Sequence, residues 1–168
     1  MIGDFGVGKT SLIRRLVDRQ FSDQYLSTVG VKISRKSVEL ANVKQRENVT
    51  VQLLIWDLEG HTKFKGIAPT YLQGASGVLI IADVSRSETI ERISEHIQLY
   101  SSVNPKGVII IALNKVDLVD EEKLALLVEI AHSLSQDKVV AVYTTSAKTG
   151  KDVDEIFHKL AYTMVEQA

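Results

Sequence analysis

The chain has 168 residues, a length for one domain spanning 1–168, and its 45% apolar and 24% charged content excludes disordered, collagenous and low-complexity classes. Its 20 basic and 21 acidic side chains give a net charge of −1, which is not the basic footprint of a nucleic-acid binder. The absence of cysteine excludes disulfides, thiolate metal sites, a cysteine nucleophile and any prenyl or palmitoyl anchor on this chain; apolar runs of about seven residues are too short to span a bilayer.

Residues 3–10 read GDFGVGKT, a match to G-x-x-x-x-G-K-[ST]. Glycines let the backbone wrap a phosphate while successive N–H groups from Asp4, Phe5, Gly6, Val7 and Gly8 onward form an anion nest. Lys9 reaches for the terminal phosphates, Thr10 offers a hydroxyl to Mg²⁺, and Ser11 follows in a helix through Leu12, Ile13, Leu16 and Val17 that adds its N-terminal dipole. The pattern arises by chance in roughly 1 in 200 chains of this length, and it does not choose ATP or GTP. A loop then carries Thr28, whose hydroxyl reaches Mg²⁺ only if the loop folds over the nucleotide.

Two extended segments follow, Val31 to Leu40 and Val49 to Asp57, separated by a mainly polar stretch too short for a crossover. They predict an antiparallel hairpin and hence a mixed, mostly parallel sheet with one antiparallel edge strand. Asp57 ends its strand facing the phosphates and is placed to hold Mg²⁺ through a water. Gly60 offers a bare backbone N–H to a γ-phosphate.

Continuous apolar runs at 77–82, 107–113 and 139–143 predict parallel strands buried on both faces. Helical stripes alternate with them: Ile90, Ile93 and Ile97; then Leu124, Leu127, Val128, Ala131 and Leu134; then Val153, Ile156, Phe157, Leu160, Ala161 and Met164. Ser85 with Glu88 predicts a capping box, and Asp120 with Glu121 and Glu122 predicts a helix start. This alternation is the pattern of an α/β fold.

Directly after the run ending at Leu113 stand Asn114, Lys115, Val116 and Asp117. A carboxylate outside the carboxyl end of a strand can accept from the N1–H and 2-amino group of guanine, donors that adenine lacks at those positions. Alone this is an ordinary polar turn; coupled to residues 3–10 it favours guanine. Ser146, Ala147 and Lys148 follow the last strand, where a backbone N–H can donate to the guanine O6.

The order and spacing of these elements resemble the Ras-like small GTPases, and within them the Rab group, over nearly the whole chain. IWDLEGHTKF at 55–64, TYLQGASGVLIIADVS at 70–85 and SAKTGKDVDEIFHKLA at 146–161 carry the resemblance. It implies a three-layer P-loop fold, bound GTP or GDP with Mg²⁺, and a two-state switch in which the γ-phosphate holds two loops that hydrolysis releases. By resemblance Phe21 packs edge-on against guanine, and the stem of Lys115 covers the other face. Thr28 is the first switch threonine, Asp57 and Gly60 open the second, and effectors, exchange factors and activators dock on residues 21–33 and 57–73.

The sequence departs from that pattern in several places. His61 stands where the family has a glutamine that orients the attacking water; it either positions that water or is a loop histidine without a catalytic role. Phe5 replaces a small residue beside the γ-phosphate, Glu59 an alanine and Thr62 a glutamate. No cysteine motif closes the chain, which points to a cytoplasmic monomer without a lipid anchor. Only Met1 and Ile2 precede Gly3, too few for the central strand, so that strand is expected to be largely missing. The expected activity is GTP hydrolysis at a slow or atypical rate. The alternatives are an adaptor that holds GTP or GDP without turnover, and a small ATP-dependent kinase, against which NKVD argues.

Overall fold

The computed structural model describes residues 1–24, 30–58, 60 and 68–168. Thr28, Val29, Glu59, His61 and Thr62 lie outside the described residues.

The apolar runs form β4 (Gly77–Asp83), β5 (Val108–Asn114) and β6 (Val139–Thr144), hydrogen-bonded in parallel. The two-residue strand β1 (Ile2–Gly3) pairs with Ile80 and Ile81 on the other edge of β4, giving the order β1-β4-β5-β6. Alternation along β5 explains why a continuous run was needed. Ile110 and Ala112 enter one core, with α1 (Lys9–Asp18) and α6 (Val153–Gln167). Ile109, Ile111 and Leu113 enter the other. There α2 (Ala68–Leu72), α3 (Ser87–Glu91), α4 (Ile93–Val103) and α5 (Glu121–Ser135) pack. A strand covered on both faces has no polar side, so it reads as unbroken apolar sequence.

The hairpin is longer than its apolar pattern. β2 (Val31–Val43) and β3 (Arg46–Leu58) pair antiparallel around a two-residue turn, with Lys44 and Gln45 at φ 49° and 63°. Two successive positive φ values match the right-handed strand twist, which is why polar flanks still pair up to the turn. The expected mixed sheet falls into two parts: β2–β3 is a two-stranded sheet of its own. Leu58 N–H donates to the Met1 carbonyl at 3.3 Å where this pair meets β1. Because β1 covers only Ile80 and Ile81, the start of β4 borders a cavity of about 950 Å³ between β3 and α6, lined by Leu53, Ile55, Leu79, Phe157 and Leu160.

Two local expectations are corrected. The Ser85–Glu88 capping box does not form: Ser85 Oγ donates to Asp83 Oδ1 at 2.6 Å, and the helix begins at Ser87 after an uncapped Arg86. A buried carboxylate two residues back out-competes the orphan N–H groups for that hydroxyl. The isoleucine stripe is split at Arg92 (φ −82°, ψ 0°) into α3 and α4, although Ile90, Ile93 and Ile97 all remain buried. Asp120 does cap α5, its Oδ1 accepting from Lys123 N–H at 2.8 Å.

Candidate nucleotide site

The loop between β1 and α1 closes on itself around glycines. Gly6 and Gly8 sit at φ 73° and 102°. A Cβ on Gly8 would stand 2.4 Å from Asn114 Nδ2, so only glycine lets the two loops touch. That approach is used: Asn114 Nδ2 donates to the Val7 carbonyl at 3.0 Å, and Asn114 Oδ1 accepts from Thr145 Oγ1 at 3.2 Å. Asn114 therefore staples the phosphate loop to the end of β6. Gly60 presses on the same loop from above, since a Cβ there would lie 2.6 Å from Phe5 N and 2.7 Å from Lys9 Nζ.

Lys9 is 6% exposed, and its ammonium donates to the carbonyls of Gly3 (2.9 Å) and Asp4 (3.0 Å). Burial lowers its pKa to about 8, against the opposing pull of the Asp57 and Asp4 carboxylates. Thr10 Oγ1 donates to Asp57 Oδ2 at 2.5 Å. The other oxygen, Asp57 Oδ1, is buried with no hydrogen-bond partner among the described residues. A buried acceptor without a donor is costly. A hard cation beside Thr10 Oγ1 and this carboxylate satisfies it, so the donor set fits Mg²⁺. Among the described residues no group of three His, Cys, Asp or Glu is placed to hold a metal.

On the base side, Ser146 Oγ donates to Asp117 Oδ1 at 2.6 Å and accepts from Thr149 N–H, which fixes the carboxylate's direction. Arg15 from α1 donates to the Ala147 carbonyl at 2.7 Å and to the Lys148 carbonyl, tying this loop to the helix that starts at the phosphate end. Lys115, at φ 67°, extends its ammonium to the Gly6 carbonyl and to Asp83 Oδ2, both at 2.8 Å. Burial works to raise the Asp83 carboxyl, but the bonds from Lys115 and Ser85 outweigh it and hold the group below the usual range.

These parts enclose a cavity of about 270 Å³. Phe5, Gly6, Gly8, Lys9, Thr10, Ser11, Phe21, Gly60, Asn114, Lys115, Asp117, Ala147 and Lys148 line it. Val7 is fully buried in the core and serves through its backbone; Asp57 and Ser146 stand one layer behind Thr10 and Asp117. Asp4 enters the expected site through its backbone N–H. Its carboxylate turns away from the cavity toward Arg92 and His96 (2.7 and 3.1 Å), because the loop's inner surface is made of backbone. Burial works to raise the Asp4 carboxyl, and His96 and Arg92 together bring it below the ordinary value. Thr28 and His61 lie outside the described residues. Sequence reasoning missed Arg14, which lines the cavity, and Arg15, Asp83 and Arg86, which support it. One signal was available: Asp83 ends an apolar strand, as Asp57 does.

A model of the Ras family matches residues 1–166. The chain is 34% identical to Ras-related protein Rab-13 of Mesocricetus auratus, over 96% of this chain and 76% of that protein. It is 33% identical to Ras-related protein Rab5 of Nicotiana tabacum, over 96% and 77%, and 31% identical to GTP-binding protein ypt5 of Schizosaccharomyces pombe, over 96% and 74%. Likeness that runs from the phosphate loop to the last helix covers the whole of the fold described above, and the chain belongs to the Ras family as a small GTPase close to the Rab proteins.

Proposed function

We propose that this GTPase is a guanine-nucleotide switch whose hydrolysis is slow or atypical. The observation that carries the reading is the mouth of the phosphate cavity. Phe5, 39% exposed, lines it, and Arg86 donates to the Phe5 carbonyl at 2.6 Å, which holds the loop there. A benzyl group at that point crowds an arginine supplied by an activating partner, an element worth roughly 10³ to 10⁵ in rate. In the reaction, Lys9 and the backbone N–H groups of residues 6–10 hold the phosphates and stabilise the charge that develops on them. Thr10 and Asp57, with Thr28 from the first switch, are the proposed ligands of Mg²⁺, which when bound neutralises phosphate charge. Asp117 reads guanine, and Phe21 and the Lys115 stem flank the base. His61 is proposed to orient the attacking water.

Single-turnover hydrolysis of pre-bound GTP tests this in the parent, Phe5→Gly and His61→Ala proteins. Phe5→Gly should hydrolyse faster than the parent when an activating partner is added, with little change in the intrinsic rate. His61→Ala should lower the intrinsic rate; an unchanged, measurable rate removes the histidine from the mechanism. Phe5 also favours a second reading, an adaptor that holds nucleotide without turnover, and absence of hydrolysis in all three proteins would establish it.

The Ras family works through regulators and effectors at its switches. Here the proposed contact surface centres on Trp56 and Tyr71, whose rings lie 6.3 Å apart, with exposed Ile33 opposite Trp56 in the hairpin register. Among the described residues no helix is long and apolar enough to cross a membrane. A cytoplasmic location and a monomeric state belong to the proposed reading.

A further inference from the structure

The three consecutive residues at the crest of the phosphate loop are each held from outside by a basic side chain distant in sequence. Lys115 takes the Gly6 carbonyl and Arg86 the Phe5 carbonyl. The third hold is different in kind. It falls on a side chain, the Asp4 carboxylate, and it comes from Arg92 at the junction of α3 and α4 and from His96 within α4. Arg92 Nη1 meets Asp4 Oδ2 at 2.7 Å, and His96 Nε2 meets Asp4 Oδ1 at 3.1 Å, so the imidazole carries its proton on Nε2. The same residue's main-chain carbonyl receives the Lys9 ammonium at 3.0 Å. Asp4 therefore has its side chain in one set of hands and its backbone in the cradle of the phosphate-binding lysine.

We infer that Arg92 and His96 are positioning residues of the nucleotide site, which act through Asp4 to align the Lys9 cradle and thereby set how long a bound guanine nucleotide stays. The inference rests on the reading that this cavity holds a guanine nucleotide. Two features separate it from a purely structural role. The Arg92 side chain is 46% exposed, and an exposed ion pair contributes little to global stability. The Asp4 carboxylate, by contrast, is 10% exposed and has both oxygens engaged, so losing a partner moves the loop backbone that carries it. A displacement well under 1 Å at a pre-aligned anion nest is felt by the ligand before it is felt by the fold.

The test follows release of N-methylanthraniloyl-GDP from the full chain loaded with Mg²⁺, by stopped-flow fluorescence, alongside thermal unfolding. Arg92→Ala should speed release roughly 5- to 20-fold while the unfolding midpoint moves by less than about 2 °C. Arg92→Lys should restore release to within about twofold, because the contact is a single N–O pair that a point charge can replace. His96→Leu should speed release and His96→Gln should recover most of the loss, since an amide N–H can reach the same oxygen. In an Asp4→Asn background Arg92→Ala should add nothing further. Release unchanged in Arg92→Ala and His96→Leu, or the same acceleration with Asp4→Asn already present, overturns the inference while leaving the nucleotide reading intact. A parent protein that fails to retain the labelled GDP overturns both.

Discussion

Lys9 keeps its ammonium largely buried at the wall of the cavity, and this has a consequence measurable without any nucleotide. Burial lowers its pKa from 10.5 to about 8. Between those values the unfolded chain binds the proton and the folded chain does not, so stability should rise with pH through this window, by up to about 3 kcal/mol. Urea titrations of nucleotide-free protein from pH 7.5 to 10.5 should show that slope in the parent and lose it in Lys9→Met. A second expectation concerns the base. Asp117→Asn should weaken GTP binding by about 2 to 5 kcal/mol, as mispaired polar groups are left in the site, and xanthosine triphosphate should bind this variant better than GTP. Calorimetric titration decides it, and equal ATP and GTP affinity in the parent sinks the assignment of Asp117. Most residues lining the cavity were legible because each belongs to a short motif at a strand end. Arg15, Arg86, Arg92 and His96 were not, since a basic residue on a helix or at its end reads as solvated surface whether or not a carbonyl or carboxylate waits opposite it.

The hairpin shows what a pattern can and cannot carry at the scale of one element. The extended segments 31–40 and 49–57 announced two strands, but the turn joining them is encoded against type. Lys44 and Gln45 adopt positive φ, where side chains cost about 1 kcal/mol and glycine costs none. Gln45→Gly should therefore stabilise the protein by about 0.5 to 1 kcal/mol, read as a higher urea midpoint with the same slope. The position of the turn was hidden because neither Lys44 nor Gln45 signals one. The capping box misled for a related reason. Ser85 and Glu88 have the right spacing, yet Asp83 offers Ser85 a charged acceptor two residues away, and tertiary burial of that carboxylate was invisible in a linear pattern.

For the molecule as a whole, β5 is the wall shared by both cores, and its side chains are packed with no exposure at Ile110 and Ile111. Ile111→Ala should cost about 2 to 5 kcal/mol, measured by chemical denaturation, because the site is boxed between strands and cannot collapse to fill the void. The α/β class and the layer order were readable because each strand is a full apolar run followed by a helical stripe. The division into two sheets was not, since it depends on how far β1 extends along β4 and no local pattern states that.

That division also sorts the molecule in time. The β2–β3 ladder can zip outward from its two-residue turn, from Val43↔Arg46 to Val31↔Leu58, whereas Ile2 must find Ile80 and Ile109 must find Val139 with no turn to start from. Hairpins of this kind close in roughly 1 to 10 μs, while distant parallel pairings wait for loop closure. Amides of the hairpin should gain protection first in pulsed hydrogen exchange during refolding, and those at Ile80 and Ile81 late. The loop at 3–10 is anchored to β1 and stapled by Asn114, so it is set among the last. A guanine nucleotide added at the start of refolding should then leave the early protection pattern unchanged and only slow the reverse reaction, as a ligand that recognises a finished form.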